Sequence, residues 1–298
     1  MKILITGGTG LIGRHLCKVL LADGHQLTVL SRQPKTVAEK CGLEVEAISS
    51  LDEWKPERMF DAVINLAGEP IVDAYWSAKR KKLLWDSRVT LTQKLVQRIA
   101  AAKQKPNVLL SGSAIGFYGN HGDTELDEAA AAGNDFAADL CNAWEVAARG
   151  AEQYGVRVCL MRTGLVLSKS GGLLGRLLLP FKLGVGAQLG DGKQWMSWVH
   201  IEDYVTMVLR LLHDEQMHGP FNMTAPNPAT NAEFTRSLAR ALHRPAFFSA
   251  PSLFLKLVMG ERSALMLEGQ CVLPVKFEDA GFHFRFGELE IALQDLLD

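Results

Sequence analysis

Residues 1–13 read Met1-Lys2-Ile3-Leu4-Ile5-Thr6-Gly7-Gly8-Thr9-Gly10-Leu11-Ile12-Gly13, and the fold turns on this stretch. Ile3, Leu4 and Ile5 form a short apolar run that stops at Gly7 and Gly8, the pattern of a buried strand ending in a turn. From Leu11 the period changes: Ile12, Leu16, Val19 and Leu20 fall on one face of an amphipathic helix. Inside the turn, Gly8, Gly10 and Gly13 satisfy G-x-G-x-x-G, while Gly7, Gly10 and Gly13 satisfy G-x-x-G-x-x-G. Between a strand and a helix such glycines have separate duties. The first make the tight turn, Gly10 lets backbone approach a pyrophosphate, and Gly13 lets the helix lie close to its strand. Free N–H groups at the helix start then face the anion. The spacing predicts a dinucleotide site that uses Gly7, Thr9, Gly10, Leu11, Ile12 and Gly13. Arg14-His15 follow Gly13 where a triphosphatase loop would carry Lys and Ser/Thr, which excludes that motif.

The chain of 298 residues is 48% apolar and 22% charged with a net charge of −1, an ordinary globular composition. No block is strongly basic, so a nucleic-acid partner is not expected. Lys79-Arg80-Lys81-Lys82 reads as a solvated helix face. The five cysteines contain no C-x-x-C pair, which suits small buried thiols in a reducing compartment better than disulfides or zinc. The N-terminus enters the glycine turn too soon for a signal peptide, and no apolar run is long enough to span a bilayer. The expectation is a cytoplasmic protein with no metal and no membrane partner.

Gln26-Leu27-Thr28-Val29-Leu30 reads as the second strand. Past its end, where an NAD site expects an acid for the ribose 2′-OH, stand Ser31 and Arg32, with Lys35 beyond. A cation there favours the 2′-phosphate of NADP. The segment 33–60 shows no clear pattern. Residues 61–68 form another buried strand ending in small residues, which leave room for a cofactor at a strand's carboxyl end. A helix is predicted over 76–103, with Leu84, Leu91, Leu95 and Ile99 on one stripe and Arg88 in the same register. Arg88 either snorkels from the stripe's edge or reaches toward cofactor or substrate, since an unpaired buried cation is costly. A strand at 107–111, a helix at 135–154 and a strand at 156–161 complete an alternation that argues for an α/β, Rossmann-like, doubly wound parallel sheet. Beyond it come a helix at 173–183, a glycine-rich stretch at 184–192, a strand-like 194–200, a helix to 212, a short strand at 221–223 and a mostly helical remainder. The domain reading is 1–165 for the nucleotide-binding part, with a return around 195–225, and 166–298 for a smaller, mostly helical substrate or lid domain.

Together, residues 6–13, Asn65-Leu66-Ala67-Gly68, Ser111-Gly112-Ser113 with Tyr118-Gly119, and Gly190-Asp191-Gly192 with His200-Ile201-Glu202-Asp203 resemble the extended short-chain dehydrogenase/reductases, the NAD(P)-dependent epimerase/dehydratase group. The last part, including Leu267-Glu268-Gly269-Gln270, resembles the helical C-terminal domain of one subgroup. The resemblance implies Tyr-x-x-x-Lys on the helix after the serine loop, with Tyr as acid/base. That helix has neither. In one register the two positions hold Ala137 and Cys141, in the other Phe136 and Leu140, and Arg88 stands where the group carries asparagine. Ser113 matches the serine that bonds a reacting carbonyl. Tyr118, Glu69 and His200 are substitute proton carriers, each with a purely structural alternative. The cofactor set is completed by Leu66, Ala67, Gly68, Arg88 and Val166. Two functional readings stand: an NADP(H)-dependent oxidoreductase or epimerase acting on a small carbonyl or sugar-like substrate, or an NADP(H)-binding redox sensor or scaffold without turnover.

Overall fold

The computed structural model describes residues 1–298. Seven strands form the central sheet: β1 (Lys2–Thr6), β2 (Gln26–Leu30), β3 (Glu46–Ile48), β4 (Ala62–Asn65), β5 (Val108–Ala114), β6 (Arg157–Thr163) and β7 (Gly219–Met223). All pairings are parallel, in the spatial order β7-β6-β5-β4-β1-β2-β3. The winding reverses between β1 and β4, where an open α/β sheet forms its ligand crevice.

The apolar runs follow from this burial on two faces. Successive side chains of β1 point to opposite sides. Ile3 and Ile5 join a core with Leu16 and Leu20 of α1 (Leu11–Ala22). Leu4 joins a separate core with Leu95 and Ile99 of α3 (Leu91–Ala101) and Ala148 of α4 (Phe136–Arg149). Helix α6 (Ile201–His213) returns to the first face with Tyr204, Met207 and Leu211. A third core joins α7 (Asn231–Ala241) to α9 (Leu289–Leu297) through Phe234, Leu238, Leu293 and Leu296. Ile12 and Val166 pack against both the first and the third core.

One buried polar network ties the strand ends together. Thr6 Oγ1 donates to Asn65 Oδ1 at 2.7 Å, and Asn65 Nδ2 donates to Thr92 Oγ1 and Ser111 Oγ at 2.8 and 3.1 Å. Trp144 Nε1 completes it on Thr92 at 3.0 Å. Each side-chain nitrogen and oxygen of the network has a partner, so it fixes register across β1, β4 and β5 without an orphaned atom.

The long helix expected over 76–103 is three pieces: α2 (Ala78–Trp85), a π-helical turn at Asp86–Thr90, and α3. Ser87 interrupts the helix ladder here. Its hydroxyl donates to Leu84 O at 2.9 Å and accepts from Glu69 N at 3.1 Å, so a side chain and a neighbouring loop compete with the helix ladder. The stretch 194–200 also divides, into Trp195–Met196 and Trp198–His200, which pair with different partners. Ser197 lies at the break, its hydroxyl on Gln270 O at 2.7 Å.

Gly13 shows how tightly α1 sits on the turn: a Cβ there would lie 2.5 Å from Gly8 Cα and 2.6 Å from Gly8 O, both backbone atoms. Gly13→Ala should cost about 1–3 kcal/mol by overpacking, measured by urea unfolding, and should weaken dinucleotide binding. An unchanged midpoint would contradict this reading of the turn.

Candidate functional site

A cleft of about 1150 Å³ opens at the carboxyl ends of β1, β2 and β4. Its geometry begins with Gly7, at φ +72°, where a Cβ would fall 2.6 Å from the Leu66 carbonyl carbon. Only glycine allows the β1 turn to rest on the end of β4 in this way. Gly10 is the N-cap of α1 and supplies no side-chain bond to it. The first N–H groups of the helix therefore have neither intrahelical partners nor a cap, and an anion can take that place. A Cβ on Gly10 would meet only Gly7 O, at 3.2 Å. This cradle fits a pyrophosphate.

Of the expected cofactor residues, Gly7, Thr9, Gly10, Ser31, Arg32, Leu66, Ala67 and Gly68 line this cleft. Leu11, Ile12, Gly13, Arg88 and Val166 do not. Gly13 underlies the turn, Ile12 is packed between cores, and Leu11 sits beside Val166 across Gly172. Arg88 occupies the π-helical turn, half-buried, with its guanidinium beneath Gly68 and 5.4 Å from the Trp144 ring. Nη2 donates to Glu69 O at 2.9 Å. It thus reaches the Ala67–Glu69 turn and does not snorkel to solvent. Burial lowers its pKa from the ordinary value, with Cys141 and Glu69 opposing the shift.

At the end of β2 the wall is polar and partly cationic. Thr36 and Lys40 join Ser31 and Arg32 there, and no Asp or Glu occurs from Ser31 to Ala38. Lys35 is not on the wall. The 3₁₀ turn at Pro34–Thr36 and the short helix Val37–Cys41 bring Lys40 to it instead. Arg32, with its side chain 87% exposed, places Nη1 2.5 Å from Glu69 Oε1 across the cleft. Glu69 also lies 3.7 Å from Arg80. The Glu69 carboxylate is thus engaged by two guanidinium groups, which corrects its reading as a free base.

The second constellation lies at the ends of β5 and β6. Ser113 Oγ donates to Glu145 Oε1 at 2.7 Å, and Arg162 grips the same carboxylate through Nε and Nη2 at 2.9 and 3.0 Å. Arg162 Nη1 continues to Tyr118 OH at 2.9 Å and Glu128 O at 3.1 Å. Burial works against the Arg162 charge, but the bonds from Glu145 outweigh it and hold the guanidinium pKa above its ordinary value. Tyr118 donates its proton to Asn222 Oδ1 at 2.6 Å, and burial pushes its pKa up to about 12. A phenol in that position does not exchange a proton with substrate near neutral pH, so Tyr118 is corrected to a structural role. Ser113 has only one proton, and Glu145 holds it. Donation from Ser113 to a carbonyl would therefore have to draw on its bond to Glu145.

His200 is a buried N-cap of α6, its Nδ1 accepting from Glu202 N at 3.1 Å and its ring stacked 3.8 Å from Phe286. Nε2 lies 3.3 Å from Asp295 Oδ2, misaligned for a hydrogen bond. Burial lowers its pKa, and nothing directs it to the cleft. On α4, Ala137, Leu140 and Cys141 are buried. Burial pushes the Cys141 thiol up to about 12 despite the charge of Arg88, and a neutral thiol supplies no cation in place of the missing lysine. All five cysteines are free, and no three His, Cys, Asp or Glu side chains are grouped to hold a metal.

Residues 3–224 match the NAD dependent epimerase/dehydratase family, and residues 250–296 a domain of unknown function, DUF1731. The chain belongs to the NAD dependent epimerase/dehydratase family. It is 38% identical to an epimerase family protein SDR39U1 homolog of Arabidopsis thaliana, chloroplastic, over 100% of this chain and 87% of that one. To epimerase family protein YfhF of Bacillus subtilis it is 36% identical, over 100% and 98%. The crystal structure of the human epimerase family protein SDR39U1 with NADPH superposes with a TM-score of 0.90 at 35% identity, covering 100% of this chain and 99% of that one.

Thr36, Lys40 and the Glu145–Arg162 pair escaped the sequence reading. The one signal for the pair is a charge at each of two apolar elements, Arg162 directly after Met161 and Glu145 four residues past Cys141 on α4. Glu145→Gln would leave the Arg162 charge buried without its partner. It should destabilise the fold by about 3–5 kcal/mol, read from the unfolding midpoint. A change below about 1 kcal/mol would contradict the pairing as the bolt of this wall.

Proposed function

We propose that this chain is an NADP(H)-dependent oxidoreductase or epimerase acting on a small carbonyl or sugar-like substrate. The observation that carries the reading is the end of β2, where Ser31, Arg32, Thr36 and Lys40 offer hydroxyls and cations and the chain from Ser31 to Ala38 supplies no acid for a 2′-OH. The human SDR39U1 structure with NADPH supports the same choice. In this reading the first turn of α1 holds the pyrophosphate, and Arg32 leaves Glu69 for the 2′-phosphate. Bound nicotinamide supplies the hydride chemistry. Proton transfer falls to Ser113: its oxygen accepts a proton from a substrate hydroxyl while its own passes to Glu145 at 2.7 Å, and the reverse path serves a carbonyl. Arg162 keeps Glu145 in place for this relay.

The sensor reading keeps one observation in its favour, the commitment of the Tyr118 and Ser113 protons inside the protein.

Titration of NADPH and NADH by fluorescence separates the cofactor claims. Arg32→Ala should weaken NADPH by roughly 10–100-fold, the loss of one charge-assisted contact, and leave NADH unchanged. Glu69→Gln should tighten NADPH by roughly two- to fivefold, since it frees Arg32 from a partly exposed ion pair. Equal affinities for the two cofactors in the unmodified protein would remove the NADP assignment. Assayed against carbonyl compounds and nucleotide sugars, Ser113→Ala should lower kcat by about 10²-fold or more without changing NADPH affinity. Absence of turnover across that panel would favour the sensor.

A further inference from the structure

The lid domain turns an apolar face outward. In α8 (Ser252–Met259), Leu255 is buried, Leu253 and Leu257 are exposed on the opposite side, Leu257 at 83%, and Phe254 and Val258 are exposed on the flanks. A helix of a globular protein ordinarily buries its wide apolar stripe; this one presents it. Phe247 and Phe248 continue the surface, Phe247 at 89% exposure. Residues Phe248–Ala250 pair with Ala187–Leu189, which brings Leu183 and Val185 alongside. Leu183 follows α5 (Gly172–Lys182), whose Leu179 is exposed as well. Exposed apolar side chains gathered on neighbouring segments of this kind mark a contact surface.

Charge tells what the contact is. From Phe234 to Gly260, and again from Lys169 to Gly190, the chain contains no Asp or Glu. Lys182, His243, Arg244 and Lys256 are exposed within these segments, and Arg244 Nε donates to Lys182 O at 3.1 Å, which brings the two residues together. Exposed Phe and Leu flanked by Lys and Arg is the composition that lies at a lipid interface, apolar groups among acyl chains and cations among anionic headgroups. Self-association through the same face would set Lys182, Arg244 and Lys256 of two copies against one another, a like-charge contact across a two-fold axis.

We propose that this face, made by α8, the Phe247–Phe248 corner and the end of α5, docks peripherally on an anionic phospholipid surface. No helix of the chain is long and apolar enough to cross a membrane, and interfacial docking requires none. Such docking departs from the expectation of no membrane partner, which rests on the lack of a spanning run.

The full chain is sedimented with vesicles of phosphatidylcholine alone and with vesicles containing about one third phosphatidylglycerol, at about 0.1 M and about 1 M salt. It should pellet with the anionic vesicles at low salt, and poorly with neutral vesicles or at high salt. Lys182→Gln and Arg244→Gln, both at exposed positions, should each weaken binding about fivefold. The double variant Phe247→Ser/Leu257→Ser should abolish it with the circular dichroism spectrum unchanged. No binding to anionic vesicles, or binding that all of these substitutions leave intact, would overturn the proposal. So would a dimer in sedimentation velocity that Phe247→Ser/Leu257→Ser dissolves while vesicles capture nothing.

Discussion

Backbone meets backbone at the carboxyl end of β1: the Leu66 carbonyl occupies the space where a side chain of residue 7 would begin, and the start of α1 rests on Gly7 O and Gly8. Everything at the cleft depends on these approaches. They bring the uncapped N–H groups of α1 to the switch point of the sheet, and they set the Leu66–Gly68 turn against the glycine turn to form the opposite wall. The Thr6–Asn65–Thr92–Ser111 network beneath holds the three strand ends in register. Steric exclusion and hydrogen bonding act together here, so a one-methyl change at Gly13 reaches a ligand site it does not line.

The second half of the site is governed by a buried charge pair. Removing Glu145 and Arg162 from water is costly, and their bidentate contact is helped to repay this by further acceptors for Nη1 of Arg162. Those acceptors include the Tyr118 hydroxyl and Glu128 O, while Ser113 adds its own proton to Glu145. The pair therefore does two things at once. It welds α4 to β6, and it converts the protic residues that the family resemblance points to into parts of a closed network. With Ala137 and Cys141, or Phe136 and Leu140, in the dyad positions, the proton relay proposed for this wall runs through Ser113 and Glu145.

Much of the fold is legible in the residues because the physics is local and repetitive. Ile3-Leu4-Ile5 must face two cores, and no residue with a Cβ fits at Gly7 or Gly13, so strand, turn and helix are all written within 22 residues. Ser31 and Arg32 are legible as a substitution of charge at a known structural position. Lys40 is not, because its place on the wall depends on a 3₁₀ turn whose residues carry no periodic signal. Glu145 and Arg162 escape for another reason: their pairing is made by packing α4 over the sheet, and each alone reads as an ordinary charge. The π-helical turn is hidden too, since it arises from Ser87 meeting the backbone of a distant loop at Glu69.

A crystal structure of the chain grown with NADPH tests most directly the proposal that the cleft takes a dinucleotide with a phosphate at its β2 end and that the contact between Arg32 and Glu69 opens to receive it. The pyrophosphate should lie against the first turn of α1, and the 2′-phosphate within about 3.2 Å of Arg32 and Lys40, with Arg32 released from Glu69. A 2′-phosphate directed into solvent, with Arg32 still bound to Glu69, would contradict it.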